Sequence, residues 1–260
     1  KSMGVKMSLS DIRKKSKLKP PRLLIYGTAG VGKTSFGASM DKSIFLLAED
    51  GLGTIQAEHF PVAKSWEEFK GRLETLIKED HEFKSLIIDS VDWLEPLIWK
   101  YVCEKNKWAN IDSPGYGRGF TAALDVWREY TELLSILREQ KGMVICQIAH
   151  CIIKRHEDPE TEAYDRYTIK LNQKASDLLQ ENSDCVLFMS YKKGTVKTQG
   201  KGGSNVKVVS GDRVIYTEER ASHLAKNRYQ LPYEMPFDWQ KIRAEIASNA
   251  KPKESEANAN

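Results

Sequence analysis

The stretch Gly27-Thr28-Ala29-Gly30-Val31-Gly32-Lys33-Thr34 decides which fold this sequence predicts. It matches the pattern G-x-x-x-x-G-K-T, which is typical of a phosphate-binding loop. The apolar residues at 22–26 predict a buried strand before it, and residues 35–40 predict the first turns of a helix after it. A strand, a glycine-rich turn and a helix, in that order, are the context that this motif requires.

The residue types of this loop predict how it holds phosphate. Glycines let the backbone wrap around an anion without Cβ clashes, and successive N–H groups then point at the phosphates. Lys33 is expected to reach the β- and γ-phosphates, and the Thr34 hydroxyl is expected to hold Mg²⁺. With Ser35 in the first helical turn, residues 27–35 form the predicted nucleotide-binding segment.

The composition is that of an ordinary globular protein. Of 260 residues, 40% are hydrophobic and 29% are charged, and the net charge of +4 permits a polyanionic partner without requiring one. No apolar run approaches the roughly 18 residues of a membrane span, and no signal-peptide pattern opens the chain. The four cysteines form no C-x-x-C pair, so we expect reduced thiols, a cytoplasmic location and no membrane contact.

Changes in composition divide the chain into three parts. Residues 1–20 are rich in lysine and arginine and predict a basic flexible arm. Residues 21–245 predict one domain, and the polar residues 246–260 predict a disordered tail.

Hydrophobic periodicity predicts an α/β domain. Apolar runs at 43–48, 85–88, 143–149 and 185–189 predict buried strands, and helical spacing predicts helices at 65–79, 91–104, 120–138 and 171–181. This alternation predicts a mostly parallel sheet with helices on both faces. Segment 105–119 predicts a loop, 151–170 is polar and charged, and Gly211-Asp212 predicts a late hairpin that extends one sheet edge.

Three polar residues end predicted strands and are therefore candidate catalytic groups. Ligands of open α/β sheets bind beyond the carboxyl ends of the strands, where Glu49, Asp89 and His150 would meet. Asp89 is expected to act on the metal, as a Walker B aspartate does, or alternatively to cap the next helix. Glu49 is expected to polarise the attacking water, with Asp50 as its rival. His150 is either a sensor of the γ-phosphate or a hydrogen-bonded core histidine.

Four further motifs carry a resemblance to a known family. The chain resembles the RecA core and, within that group, phage RecA-core ATPases of the Sak type, which are phage nucleotide-binding proteins implicated in single-strand annealing and recombination. The motifs are Ala48-Glu49-Asp50, Gly115-Tyr116-Gly117-Arg118-Gly119, Ile148-Ala149-His150 and Lys226-Asn227-Arg228 followed by Leu231-Pro232. They match, in turn, the catalytic glutamate, the first DNA-binding loop, the phosphate-sensing glutamine and the Lys-Asn-Lys segment of RecA-like proteins.

The resemblance implies a DNA-stimulated ATPase that uses ATP and Mg²⁺. ATP would lie between subunits of a homo-oligomer, and Lys226 and Arg228 would reach the neighbouring subunit's ATP, as an arginine finger does. His150 departs from the RecA glutamine. We expect no counterpart of the long N-terminal oligomerisation segment or the C-terminal domain of RecA, which argues against a filament but not against a ring or cooperative assembly, and the sequence does not decide between ring and filament. Single-stranded DNA is the implied partner in the host cytoplasm, with a single-strand-binding protein as a further candidate.

DNA contact is expected on the segments that follow the third and fourth strands. The candidate residues combine cations with aromatic rings, a mixture that suits single strands because bases stack while phosphates pair: Lys105, Lys107, Trp108, Tyr116, Arg118, Lys154 and Arg155. Packing of Trp108 and Tyr116 against the core is the competing interpretation. The lysine-rich segment 192–207 would either track a phosphate backbone or be solvated.

Four other functions fit parts of the pattern. A RecA-core helicase or helicase loader shares every motif and differs in strand unwinding. A nucleotide-gated DNA-binding module would show little turnover. A small-molecule kinase would usually have a lid, which is not evident, and a GTPase would carry the N-K-x-D tetrad, which is missing.

Overall fold

A computed structural model describes residues 18–160, 162–200 and 203–250 of the protein. Within residues 193–210 only the backbone is described. The predicted basic arm, apart from its last residues, and the end of the predicted tail lie outside the described residues. Ten strands and six helices follow in chain order: β1 Arg22–Gly27, α1 Lys33–Ala38, β2 Ser43–Leu47, β3 Glu58–His59, α2 Trp66–Lys78, β4 Ser85–Asp89, α3 Val91–Asn106, α4 Arg118–Gln140, β5 Val144–His156, β6 Tyr164–Ile169, α5 Gln173–Asn182, β7 Cys185–Gly200, β8 Gly203–Tyr216, β9 Lys226–Asn227, β10 Glu234–Pro236 and α6 Trp239–Asn249.

Eight of the strands follow the order β10-β8-β7-β1-β5-β4-β2-β3 across the sheet, while β6 pairs with β5 and β9 pairs with β7. Pairing is parallel from β7 through β1, β5, β4 and β2 to β3, and antiparallel between β7, β8 and β10. The predicted fold class, a mostly parallel sheet flanked by helices with late antiparallel strands, is confirmed. Strand β5 lies between β1, which leads into the phosphate loop, and β4, which ends at Asp89.

Alternation along β1 builds the two halves of the core. Leu24 and Tyr26 face the layer of α2, α3, α4 and α5, whereas Leu23 and Ile25 face α1 and α6. All four side chains are fully buried, as expected for a central strand covered on both faces. Two buried faces explain why the four residues between Arg22 and Gly27 are apolar.

Local signals explain where helix α2 begins. Ser65 accepts a hydrogen bond from the Glu68 N–H (3.2 Å), and the Glu68 carboxylate accepts one from the Lys64 N–H (3.0 Å). This is a close variant of a capping box, which satisfies N–H groups that the first helical turn leaves unpaired. The helices predicted at 65–79, 91–104, 120–138 and 171–181 are confirmed, with ends that differ by a few residues.

One predicted turn is wrong, and two strands extend further than predicted. Segment 151–170 is polar because β5 continues past the sheet to His156 and pairs there with β6 as a two-stranded arm. Gly211-Asp212 is no hairpin turn: β8 runs through it beside a register shift in its pairing with β7. Residues 192–200 belong to β7 and residues 203–207 to β8, and the side chains of 193–210 lie outside the described ones, so contact of this segment with DNA stays a prediction.

The carboxyl-terminal region also differs from the prediction. Helix α6 continues to Asn249, beyond residue 245, at which we placed the end of the domain. Asp238 caps this helix, and Trp239, Ile242 and Ile246 bury its apolar side against the sheet. Within the described residues, no helix has both the length and the apolar character to cross a membrane.

Candidate nucleotide site

The phosphate loop leaves the end of β1 at the centre of the sheet. Gly30 and Gly32 have φ values of 73° and 98°, a left-handed conformation that side-chain-bearing residues rarely adopt. A Cβ on Gly27 would lie 2.1 Å from the Met189 carbonyl oxygen of β7, so only glycine fits there. The loop conformation therefore requires Gly30 and Gly32, and the close approach of β7 requires Gly27.

Lys33 points its ammonium group into the turn of this loop. Its Nζ donates to the carbonyl oxygens of Gly27 (3.1 Å) and Thr28 (3.2 Å). The side chain is buried, and that burial lowers the pKa of Lys33. An ammonium group held away from water gains most from an anion beside it, which is the role that the motif assigns to this lysine.

Thr34 and Asp89 meet where the sequence predicts the metal. The Thr34 hydroxyl donates to Asp89 Oδ2 at 2.7 Å, and burial of that carboxyl raises its pKa. A divalent cation would offset the cost of a buried carboxylate charge, and both oxygens suit Mg²⁺. The described residues contain no cluster of three His, Cys, Asp or Glu side chains that could hold a metal ion by themselves.

Glu49 lies beyond the end of β2 and faces the same site. Its Oε1 accepts a hydrogen bond from the Ser90 hydroxyl at 2.7 Å, and it lies 4.0 Å from His150 Nδ1. The rival Asp50 is exposed and lines a separate surface cavity with residues 52–59. Glu49, and not Asp50, therefore lies beside Ser90 and His150 in this site.

His150 is held by a buried carboxylate that sequence analysis did not identify. Asp92 on α3 accepts from both the N–H of His150 (3.0 Å) and its Nδ1 (2.9 Å), and its side chain is 2% exposed. The hydrogen bond to Asp92 raises the pKa of His150. Burial alone would raise the pKa of Asp92, but hydrogen bonds from His150 outweigh it and the pKa is lowered.

This pair predicts a pH effect with a definite sign. Because the imidazolium form of His150 is stabilised, replacing Asp92 by asparagine should lower the His150 pKa toward or below its usual value of about 6.5. The stability that the His150–Asp92 pair contributes is fully present below the unfolded-state pKa of histidine, about 6.5. It is lost as the pH rises through the higher pKa of His150 in the folded protein. NMR titration of the His150 ring in nucleotide-free Asp92→Asn, compared with His59→Ala as a control, measures the shift. An unchanged His150 pKa in Asp92→Asn would contradict this assignment.

Two other side chains near the site were missed. Ser90 orients Glu49, as described above. Glu95, one turn after Asp92 on α3, accepts a hydrogen bond from the Asn172 N–H (3.0 Å), and burial raises its pKa to about 7. The spacing of Asp92 and Glu95 could have indicated that both carboxylates lie on the same face of α3, because residues three apart share one helix face.

Lys226 and Arg228 lie at the opposite end of the sheet from the phosphate loop. Arg228 is 3.5 Å from Asp184, which also accepts a hydrogen bond from the N–H of Arg22 at the start of β1. Five residues of strand, about 17 Å at 3.3 Å per residue, separate this point from Gly27. Neither cation can reach the phosphate loop of its own chain.

The two cations also differ in their partners. Lys226 Nζ donates to the carbonyl oxygens of Gln180 (2.7 Å) and Glu181 (3.2 Å) in the last turn of α5. A lysine there satisfies carbonyl groups that the helix leaves unpaired, which is a structural role. Arg228 is 54% exposed and is the freer of the two.

The predicted DNA-binding residues fall into two groups, of which the first lies on β5 and around the beginning of α4. Lys154 and Arg155 are exposed on the part of β5 that extends beyond His150, next to Ile153, which is 61% exposed. Tyr116 is fully exposed, and Arg118 is exposed at the beginning of α4.

The second group lies at the far end of α3, about 24 Å of helix from Ser90 at 1.5 Å per residue. Lys105 and Lys107 are exposed there, and Lys105 lies 5.8 Å from the centre of the Tyr101 ring. Trp108 packs against the core, which agrees with the competing interpretation for this residue.

Comparisons with known proteins find one curated relative and one similar solved structure. A curated relative, the SPbeta prophage-derived uncharacterized protein YorG of Bacillus subtilis (strain 168), is 27% identical over 213 residues. The match covers 80% of this chain and 59% of the relative, so the chain spans less than two thirds of that protein's length. A solved structure of the RadB recombinase matches with 15% identity and a TM-score of 0.43, covering 80% of this chain and 86% of that one.

A family match covers most of the domain. The model of the family AAA_24, described as an AAA domain, matches residues 19–229, which include the phosphate loop, Glu49, Asp89 and His150. The chain therefore belongs to this AAA domain family of P-loop ATPases.

Proposed function

We propose that this protein is an ATPase that binds single-stranded DNA and assists phage DNA recombination or annealing. ATP would bind with Mg²⁺ between subunits of a homo-oligomer, and hydrolysis would reset the DNA-bound state. The prophage origin of the curated relative supports a phage setting.

One observation carries the proposal: a single strand connects the nucleotide site to a cationic arm. β5 runs from the sheet through His150 to the exposed Lys154 and Arg155, and β6 pairs with it from Cys151↔Ile169 to His156↔Tyr164. His150 is four residues from Lys154, so a change at the γ-phosphate would be transmitted through a short, paired piece of backbone. Such a connection supports DNA binding that depends on the nucleotide.

The residues divide the chemistry of hydrolysis among them. Lys33 and the loop would bind and orient the triphosphate, and Thr34 and Asp89 would hold Mg²⁺, which supplies charge neutralisation at the phosphates when bound. Glu49, oriented by Ser90, would accept a proton from the attacking water. His150, oriented by Asp92, would donate a hydrogen bond toward the γ-phosphate side of the site.

Turnover measured with and without single-stranded DNA, over a range of protein concentrations, tests the proposal. We expect stimulation by DNA and a specific activity that rises with protein concentration, because ATP would lie between subunits. Turnover that responds to neither would contradict it. Annealing without unwinding favours the recombination role, whereas unwinding favours the helicase alternative.

The arm gives a quantitative prediction for DNA affinity. Replacing Lys154 and Arg155 by alanine should weaken binding and lower the slope of log K against log salt by about 1.4, since each phosphate contact on a single strand contributes about 0.7. Fluorescence anisotropy of a labelled oligothymidine at several KCl concentrations measures both quantities.

The matched control changes the same net charge elsewhere. Lys42 and Lys84 are exposed at the opposite edge of the sheet, where the Lys84 N–H donates to the Lys42 carbonyl oxygen (3.0 Å). Their double alanine variant should bind DNA with the wild-type slope. Equal losses in the two double variants would mean that only net charge matters, and the arm would not be a DNA-binding element.

A further inference from the structure

The flank of the phosphate loop that faces away from the carboxylates carries three side chains that no motif assigns. Glu49, Asp89 and His150 all approach the loop from the side of β5, β4 and β2. On the other side, β7 and β8 bring Tyr191 and Arg213 to paired positions in their ladder. We call these two residues, together with Phe237 just before α6, the nucleoside wall.

Arg213 lies directly against the loop. A Cβ on Gly32 would be 2.7 Å from Arg213 Nη1 and 3.6 Å from the edge of the Phe237 ring. The guanidinium carbon lies 4.6 Å from the centre of that ring, and Phe237 in turn packs edge-on against Phe36 of α1 (5.5 Å). The arginine is thus held in place by an aromatic ring that is itself anchored to the core.

Tyr191 closes the same flank nearer the tip of the loop. Its hydroxyl donates to the Gly30 carbonyl oxygen at 3.4 Å, and the residue is 37% exposed. The nucleoside wall therefore contacts the loop at two points, Gly30 and Gly32, while its side chains stay accessible to a ligand.

Comparison with Arg220, a second arginine that stacks on an aromatic ring, shows that Arg213 differs in its ion pairing. Arg220 also stacks on an aromatic ring, that of Tyr233 (4.5 Å), but it pairs with the Glu218 carboxylate at 3.0 Å. Among the side chains that the structure describes, no carboxylate lies within ion-pair distance of Arg213. A fixed guanidinium beside a phosphate loop, without an anionic partner in that part of the chain, is suited to bind phosphate.

We propose that Arg213 binds the α-phosphate and ribose of the nucleotide from its own chain, with Tyr191 and Phe237 completing the wall. The metal and γ-phosphate end of the triphosphate faces Asp89 and Glu49, so the opposite end of the extended ligand points toward β7 and β8. The inference rests on the proposed ATPase function and adds the part of the site that holds the nucleoside end.

Calorimetry with MgADP and MgATP tests this proposal. Arg213→Ala should weaken both ligands by the same factor, about tenfold or more, because a hydrogen bond to a charged group typically contributes 1.5–3 kcal/mol. Arg213→Lys should recover part of the loss, since lysine keeps the charge without the planar fork. Arg220→Ala, the matched stacked arginine, should bind both nucleotides as the wild type does.

The outcomes separate this inference from the proposed function. Wild-type affinity in Arg213→Ala would overturn the inference alone, and so would a loss confined to MgATP, which would place the arginine at the γ-phosphate. Absence of nucleotide binding in the wild-type protein would overturn both. Thermal unfolding of each variant identifies a loss caused by misfolding, and Arg213→Lys then provides the independent measurement.

Discussion

Glu49→Gln is expected to lower ATP turnover by about 10²–10⁴-fold while nucleotide binding persists, since a general base typically contributes a factor of that size. The amide keeps the shape of the side chain and can still accept the hydrogen bond from Ser90, which is 2.7 Å long. It cannot take a proton from water. Single-turnover hydrolysis measures the chemical step, and calorimetry with MgATP measures binding separately.

Asp50→Asn is the matched control for this prediction. Asp50 is the next acid in the chain, carries the same charge and is exposed away from the site. It should turn over ATP at close to the wild-type rate. A large loss in Asp50→Asn with little change in Glu49→Gln would reverse the assignment and make Asp50 the acid that acts on water.

Arg228→Ala is expected to bind nucleotide but to lose about 10³–10⁵-fold in turnover, the range that arginine fingers supply. The residue lies at the far end of the sheet from its own phosphate loop, so any contact with ATP must come from a neighbouring subunit. The substitution should not unfold the protein, because Asp184 keeps a 2.7 Å hydrogen bond from Arg138. Steady-state hydrolysis at saturating MgATP measures the loss.

Mixing variants tests whether the contact crosses between subunits. Arg228→Ala has an intact loop and Lys33→Ala has an intact Arg228, so a random head-to-tail mixture should form competent sites at roughly a quarter of its interfaces. Each variant alone should be inactive. Activity that does not exceed the sum of the separate proteins would rule out a shared site.

Arg243→Ala is the control for removing an exposed arginine. Arg243 is 59% exposed and pairs with Asp41 at 2.8 Å, much as Arg228 pairs with Asp184. We expect wild-type turnover from this variant. If Arg228→Ala also shows wild-type turnover, Arg228 does not act on ATP, and its role is limited to the surface ion pair with Asp184.

The chemistry-bearing residues of the nucleotide site were predictable because each is fixed by a local rule. The loop needs glycines for its backbone and a lysine for its charge, and Glu49, Asp89 and His150 each follow an apolar strand. In a parallel sheet, strand ends share one edge, so this placement could be inferred from the order of residues. Asp92 could not be inferred in this way, because its contact with His150 joins α3 to β5.

Two predictions failed, the end of β5 at residue 149 and the turn at Gly211-Asp212, because pairing between distant segments outweighed local character. The segment 151–170 is polar because β5 and β6 pair beyond the covered part of the sheet, where alternation toward a core is lost. Gly211-Asp212 resembles a turn, yet β7 holds β8 in register on both sides of it. Turn propensity is a small energy compared with a continuous ladder of backbone hydrogen bonds.

By itself, the sequence determined the α/β class, the phosphate loop and the identity of the strand-end acids, since these depend on side-chain period and on short-range backbone geometry. Only the tertiary structure decided that Asp92 orients His150, that Arg213 flanks the loop and that Arg228 lies too far away to serve its own chain. Each of these facts depends on how strands from distant parts of the sequence are ordered in the sheet. No local pattern records that order, because it is set by the burial of both sheet faces at once.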